Sequence, residues 1–202
     1  MTKIKLCGLT RPCDIEAVNE LKPDYIGFVF ASKSKRYVDV DKAKELKSLL
    51  SPGVSAVGVF VNEGPEQVAG LLESGVIDIA QLHGNEEATY IEKLRALTIK
   101  PIIQAFRIRQ ESDVQIAVNS TADYILLDSG AGTGTVFDWD LLKGISRPYF
   151  LAGGLSADNV GIAVRTLQPY AVDVSSLIET DGVKDKIKMA AFVAAVRKGD
   201  TL

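Results

Sequence analysis

Histidine and tryptophan each occur once among the 202 residues, and cysteine and methionine only twice each. With one histidine (His83) and no cluster of partners around it, no histidine-built metal centre is expected. Cys7 and Cys13 lie too close to a predicted strand–helix turn for an obvious disulfide, and lack the companions of a zinc set. So little cysteine suits a reducing compartment. There is no excess of positive charge, with 23 Lys and Arg against 26 Asp and Glu. This gives no support for a nucleic-acid partner. No apolar run approaches the roughly 20 residues that cross a bilayer, so no membrane partner is expected. The chain opens on a strand pattern rather than a charged-then-apolar signal segment, and the expected location is cytoplasmic. No Gly/Pro/Ser-rich linker or shift of composition divides it. Residues 1–202 therefore read as a single domain.

What the sequence does contain is regular. Short apolar, β-branched or aromatic runs occupy Ile4–Cys7, Tyr25–Phe30, Ala56–Phe60, Ile79–Leu82, Ile102–Phe106, Tyr124–Asp128, Tyr149–Ala152 and Ala171–Ser175. Most are continuous rather than alternating, the mark of parallel strands buried on both faces. Between them the spacing predicts helices near Pro12–Leu21, Asp41–Leu50, Pro65–Ser74, Glu86–Leu97, Ser112–Asn119, Asp140–Lys143, Ala157–Leu167 and Val183–Arg197. Eight strand–helix units in about 200 residues close into a parallel (β/α)8 barrel, an α/β fold. A doubly wound open sheet is the competitor, but no Gly-x-Gly-x-x-Gly follows the first strand.

Barrel chemistry sits at the carboxyl ends of the strands. The first strand ends on Cys7, Gly8 permits a tight turn, and Thr10 or Asp14 can cap the helix that opens at Pro12. A thiol beside a helix N-terminus is favoured as thiolate; the alternative is a small buried apolar residue. Asp128 ends an apolar strand, where desolvation suits a general acid; the alternative is a loop cap. Further strand exits offer Arg36, Gln81, His83, Gln104 and Arg107. Arg36 has the planar fork for a carboxylate, or lies in a solvated loop with Lys33 and Lys35. His83 is a second acid–base group or a structural hydrogen-bonding histidine. Gly153-Gly154 after strand seven and Ser175-Ser176 after strand eight occupy the usual phosphate position of such barrels. Gly130-Ala131-Gly132-Thr133-Gly134-Thr135 forms a glycine-rich loop after strand six.

These pieces, in order and spread over the whole chain, resemble the phosphoribosylanthranilate isomerase family. The resemblance is carried by Lys5-Leu6-Cys7-Gly8-Leu9-Thr10-Arg11, Lys35-Arg36-Tyr37-Val38, Gln81-Leu82-His83-Gly84, Leu127-Asp128-Ser129, Leu151-Ala152-Gly153-Gly154-Leu155 and Val172-Asp173-Val174-Ser175-Ser176. It implies an Amadori rearrangement of N-(5-phosphoribosyl)anthranilate in tryptophan biosynthesis, on a small phosphorylated substrate and without metal or organic cofactor. By that resemblance Asp128 is the acid, Cys7 the base and Arg36 the carboxylate holder, while Gly153, Gly154 and Asp173 to Ser176 hold the phosphate. Other phosphate-binding barrels fit less well: the histidine-pathway isomerase would call for aspartate in place of Cys7, and indole-glycerol-phosphate synthase for a lysine and glutamate at strand ends. An inert barrel would be expected to lack Cys7 or Asp128. Monomer and homodimer are both open. The family usually carries Gly where this chain has Leu177; a left-handed backbone there would strain leucine.

Overall fold

Alternation along each strand sorts the barrel's side chains into two sets. In the first strand, β1 (Lys3–Cys7), Ile4 and Leu6 face the helices while Lys5 and Cys7 face the barrel axis. The remaining barrel strands are β2 (Tyr25–Val29), β3 (Ser55–Phe60), β4 (Ile79–Leu82), β5 (Ile102–Arg107), β6 (Tyr124–Asp128), β7 (Tyr149–Ala152) and β8 (Ala171–Val174). They pair in sequence order, all parallel, and β8 closes on β1 with Lys5 opposite Asp173. This computed structural model describes residues 1–128 and 139–201, so the glycine-rich segment after β6 lies outside the described residues.

The axis is filled in layers. At the amino-terminal end Tyr25, Tyr124, Phe150 and Tyr170 make a ring cluster, with Tyr124 and Tyr170 stacked at 5.2 Å and the Tyr25 and Tyr170 hydroxyls 2.8 Å apart. Val57, Ile79, Ile103 and Leu126 pack alongside. At the carboxyl end the apolar filling thins to Cys7, Val29 and Val59. A cavity opens above it. The larger core lies between strands and helices, where Phe28, Phe60, Ile77 and Leu72 are buried.

The helices are α1 (Pro12–Leu21), α2 (Val40–Ser48), α3 (Pro65–Glu73), α4 (Ala88–Leu97), α5 (Glu111–Val118), α6 (Val160–Leu167) and α7 (Lys186–Gly199). α1 starts at Pro12 as expected. Arg11 is its cap residue, and the Asp14 carboxylate accepts the N–H groups of Thr10 and Arg11 at 3.1 and 3.0 Å. Three expected helices differ. The one expected from Ala157 starts at Val160, after a turn in which the Asn159 N–H donates to the Ser156 carbonyl at 3.3 Å. The sixth shrinks to a 3-10 turn, Trp139–Leu142: Lys143 bonds back three residues to Asp140, and Gly144 then turns the chain with φ +85°. The eighth starts three residues late, because Val183 belongs to a hairpin of β9 (Glu179–Thr180) and β10 (Val183–Lys184). Asp181 and Gly182, at φ +52° and +80°, form its turn. Asp185 then caps α7 through the N–H groups of Ile187 and Lys188. Among the described residues no helix is long and apolar enough to cross a membrane.

Candidate active site

The cavity at the carboxyl end of the barrel is about 270 Å³ and is lined by Cys7, Arg36, His83, Asp128, Gly153, Gly154, Asp173, Ser175 and Ser176, nine of the residues singled out from sequence. Ser34, Gln81 and Leu177 join them. Strand five contributes nothing to this lining. Gln104 turns to the helix side, donating to the Glu86 carbonyl at 2.7 Å and accepting from Ser120 at 2.5 Å. Arg107, at the end of β5, is exposed.

Cys7 occupies its place because the strand beside it yields room. Gly27 is its register partner in β2, and a Cβ on Gly27 would come within 2.5 Å of Cys7 Sγ. Gly8 follows at φ +81°, and a Cβ there would meet Arg36 Cδ at 2.4 Å. The arginine stem thus lies directly over the turn after Cys7. The expectation that helix proximity favours a thiolate is corrected by the surroundings. Burial pushes the Cys7 thiol above its ordinary 9.0 and Asp173 adds to this, while Lys5 and Lys184 pull the other way without overcoming it.

Lys5 is among the largest fully buried side chains, and its Nζ donates to Asp173 Oδ1 at 2.9 Å. Burial alone would lower the Lys5 ammonium, but Asp173 and Cys7 outweigh it and hold it raised. Asp173 therefore sits within β8 and inside the barrel, not in the loop that follows. Sequence reading passed over Lys5, although its spacing of two from Cys7 already places both on one strand face.

Arg36 is not free to present its whole fork. Its Nε and Nη2 donate to Glu179 Oε1 and Oε2 at 2.5 and 2.8 Å. Glu179 is also met by Lys184 Nζ at 2.5 Å, which donates further to the Ser175 carbonyl at 2.8 Å. Ser175 Oγ in turn donates to the Cys7 carbonyl at 3.1 Å. The β9–β10 hairpin thus ties the Arg36 loop, the turn after β8 and the end of β1 together. Burial raises the Glu179 carboxyl, yet the hydrogen bonds from Arg36 and Lys184 prevail and leave it lowered; burial lowers the Lys184 ammonium despite Glu179.

Across the cavity His83 Nε2 lies 3.5 Å from Asp128 Oδ2, and Gln81 Nε2 lies 2.9 Å from His83 Nδ1. A hydrogen on Nε2, with Nδ1 accepting from the Gln81 amide, makes His83 a donor toward Asp128. Gly153 and Gly154 have φ of +86° and +65°, a conformation that needs glycine. Asn159 clamps this turn, donating to the Gly154 carbonyl at 2.8 Å and accepting from the Ser156 N–H at 2.9 Å. Leu177 lies in a 3-10 turn, Ser176–Ile178, and does not adopt a left-handed φ. No strain arises from it. Among the described residues no three His, Cys, Asp or Glu side chains group as a metal site.

A family model described as N-(5'phosphoribosyl)anthranilate (PRA) isomerase matches residues 4–195. The N-(5'-phosphoribosyl)anthranilate isomerase of Endomicrobium trichonymphae is 45% identical over 202 residues, spanning 98% of this chain and 99% of that protein. A crystal structure of phosphoribosyl anthranilate isomerase in complex with reduced 1-(o-carboxyphenylamino)-1-deoxyribulose 5-phosphate aligns with a TM-score of 0.87 at 35% identity, covering 98% and 99% of the two chains. Monomers generated from the dimeric enzyme of Thermotoga maritima align at 0.86 and 36% identity, again over 98% and 99%. With its closed barrel, its clustered acid, thiol and glycine turns, and these matches over nearly its full length, the chain belongs to the N-(5'-phosphoribosyl)anthranilate isomerase family of enzymes.

Proposed function

We propose that residues 1–202 form one catalytic barrel domain that carries out the Amadori rearrangement of N-(5-phosphoribosyl)anthranilate to 1-(2-carboxyphenylamino)-1-deoxyribulose 5-phosphate, a step of tryptophan biosynthesis in the cytoplasm. The observation that carries this is the convergence of Cys7 and Asp128, from opposite sides of the barrel, on one cavity flanked by the Gly153-Gly154 and Ser175-Ser176 turns. Asp128 acts as general acid, giving a proton to the ribose ring oxygen as the ring opens to a Schiff base. Cys7 as thiolate takes the C2′ proton, becoming a thiol, and the enolamine then tautomerises to the aminoketone. Positioned acid–base groups of this kind contribute about 10²–10⁴-fold each. His83 orients Asp128. The phosphate rests on the glycine turn and the two serines, where backbone N–H groups can approach an anion.

Arg36 holds the anthranilate carboxylate, which competes with Glu179 for the guanidinium. Lys184 keeps Glu179 neutralised during that exchange. Asp173 serves the site through Lys5 rather than by touching phosphate, since a carboxylate repels that anion. The protein acts as a monomer or homodimer. The test is fluorescence-monitored consumption of freshly generated N-(5-phosphoribosyl)anthranilate, with chelator present and no cofactor added. Turnover is the expected result. A folded sample with no turnover overturns the assignment.

A further inference from the structure

We propose that Lys5 is a positioning residue for the reaction: its ammonium, held against Asp173 inside the barrel, is the counter-charge that makes the Cys7 thiolate available as base. This rests on the acid–base assignment above. Lys5 and Cys7 project from the same face of β1, two residues apart, into the barrel axis. Lys5 is completely enclosed, and its Nζ sits 2.9 Å from Asp173 Oδ1 on the neighbouring strand. From that position its charge acts on the Cys7 thiol and pulls it toward thiolate. A buried ion pair adds little stability over apolar packing, so its place beside a reactive thiol points to a use in chemistry.

Other charged groups face Cys7 from the elements around it. Lys184 of the hairpin and Arg36 after β2 are cationic, but both are committed to Glu179, and Lys184 also to Ser175. Asp173 of β8 opposes thiolate formation, and across the cavity stand His83 and Asp128. A bound substrate brings more negative charge, from its phosphate and carboxylate. Of the three cations, only Lys5 shares a strand face with Cys7 and is independent of Glu179. Asp173 has two effects in this arrangement: it keeps Lys5 protonated and tempers the positive field the sulfur sees.

The two partners therefore pull the thiol in opposite directions, which separates an electrostatic role from a structural one. The test is a pH titration of Cys7 by the ¹³Cβ chemical shift of labelled cysteine, in a Cys13→Ser background that leaves one thiol signal. Lys5→Gln is expected to move the Cys7 midpoint upward by about 1–3 pH units, the size of a lost opposite charge at close range. Asp173→Asn is expected to move it downward. kcat for Lys5→Gln should fall while KM stays near the parent value. If Lys5→Gln does not fold, Asp173→Asn alone decides the matter. Midpoints unmoved in the folded variants, with only stability lost, overturn the proposal and make the pair structural. The titration needs no substrate, so failure here differs from failure of the functional assignment, which shows as absent turnover by the parent protein.

Discussion

Substituting Gly27 by alanine tests whether the Cys7 thiol, the proposed base, depends on space left by its neighbouring strand. A Cβ at Gly27 would lie 2.5 Å from Cys7 Sγ, 3.1 Å from Cys7 Cα and 3.2 Å from Cys7 Cβ. Ordinary contact begins near 3.4 Å, so the sulfur must retreat by about 0.9 Å. A displacement of about 1 Å at a reacting group costs roughly 100-fold in rate. Overpacking of a tight core costs about 1–3 kcal/mol, or roughly 3–10 °C in Tm for a chain of this size. Gly58→Ala is the matched control. Its Cβ would meet Ile77 Cδ1 at 2.6 Å and Phe60 Cε2 at 2.9 Å, on the helix side of the barrel and away from the thiol. Steady-state kinetics with thermal melts of both variants should show similar losses of Tm, but a fall in kcat of about two orders of magnitude only for Gly27→Ala. Equal kcat values in the two variants would refute the idea that Gly27 places the sulfur.

Three other outcomes follow from the same geometry. The pH dependence of kcat/KM should be bell-shaped, because turnover requires Cys7 as thiolate and Asp128 protonated at once; burial, which raises the Cys7 thiol, moves the Cys7 limb toward alkaline pH. A profile flat across both limbs speaks against the pair. Glu179 is held below its ordinary 4.5, so its bridge contributes stability above that pH and loses it as pH falls through the lowered value. Acid unfolding of Glu179→Gln should accordingly be less steep below about pH 4.5 than that of the parent protein, and an unchanged curve would show that the bridge contributes nothing. Leu177→Gly should lower stability by about 1 kcal/mol through backbone entropy, because Leu177 is unstrained where it stands. A rise in Tm would reveal strain there after all.

The strands were legible because parallel strands buried on both faces become uninterrupted apolar runs, and Tyr124–Asp128 and Tyr149–Ala152 stand where the sequence placed them. The helix expected at Asp140–Lys143 failed for want of length before Gly144, which leaves room only for three-residue bonds. The β9–β10 hairpin had a local signal, Asp181-Gly182, but the apolar Val183 after it suited the face of a helix equally well. At the site, the strand-end rule located Cys7 and Asp128, whereas their fields depend on distant residues. Nothing local to Arg36 reveals Glu179, 143 positions away, as the partner that occupies its fork. Lys5 is the opposite case. Period two alone put it beside Cys7, and a lysine inside an apolar strand was the visible clue.

The central claim, that Cys7 and Asp128 divide the proton work, is met most directly by the turnover of Cys7→Ser and Asp128→Asn, each shown by circular dichroism to be folded. Each variant is expected to lose about 10²–10⁴-fold in kcat. Near-parent turnover by either folded variant would contradict the account and remove that residue from its role.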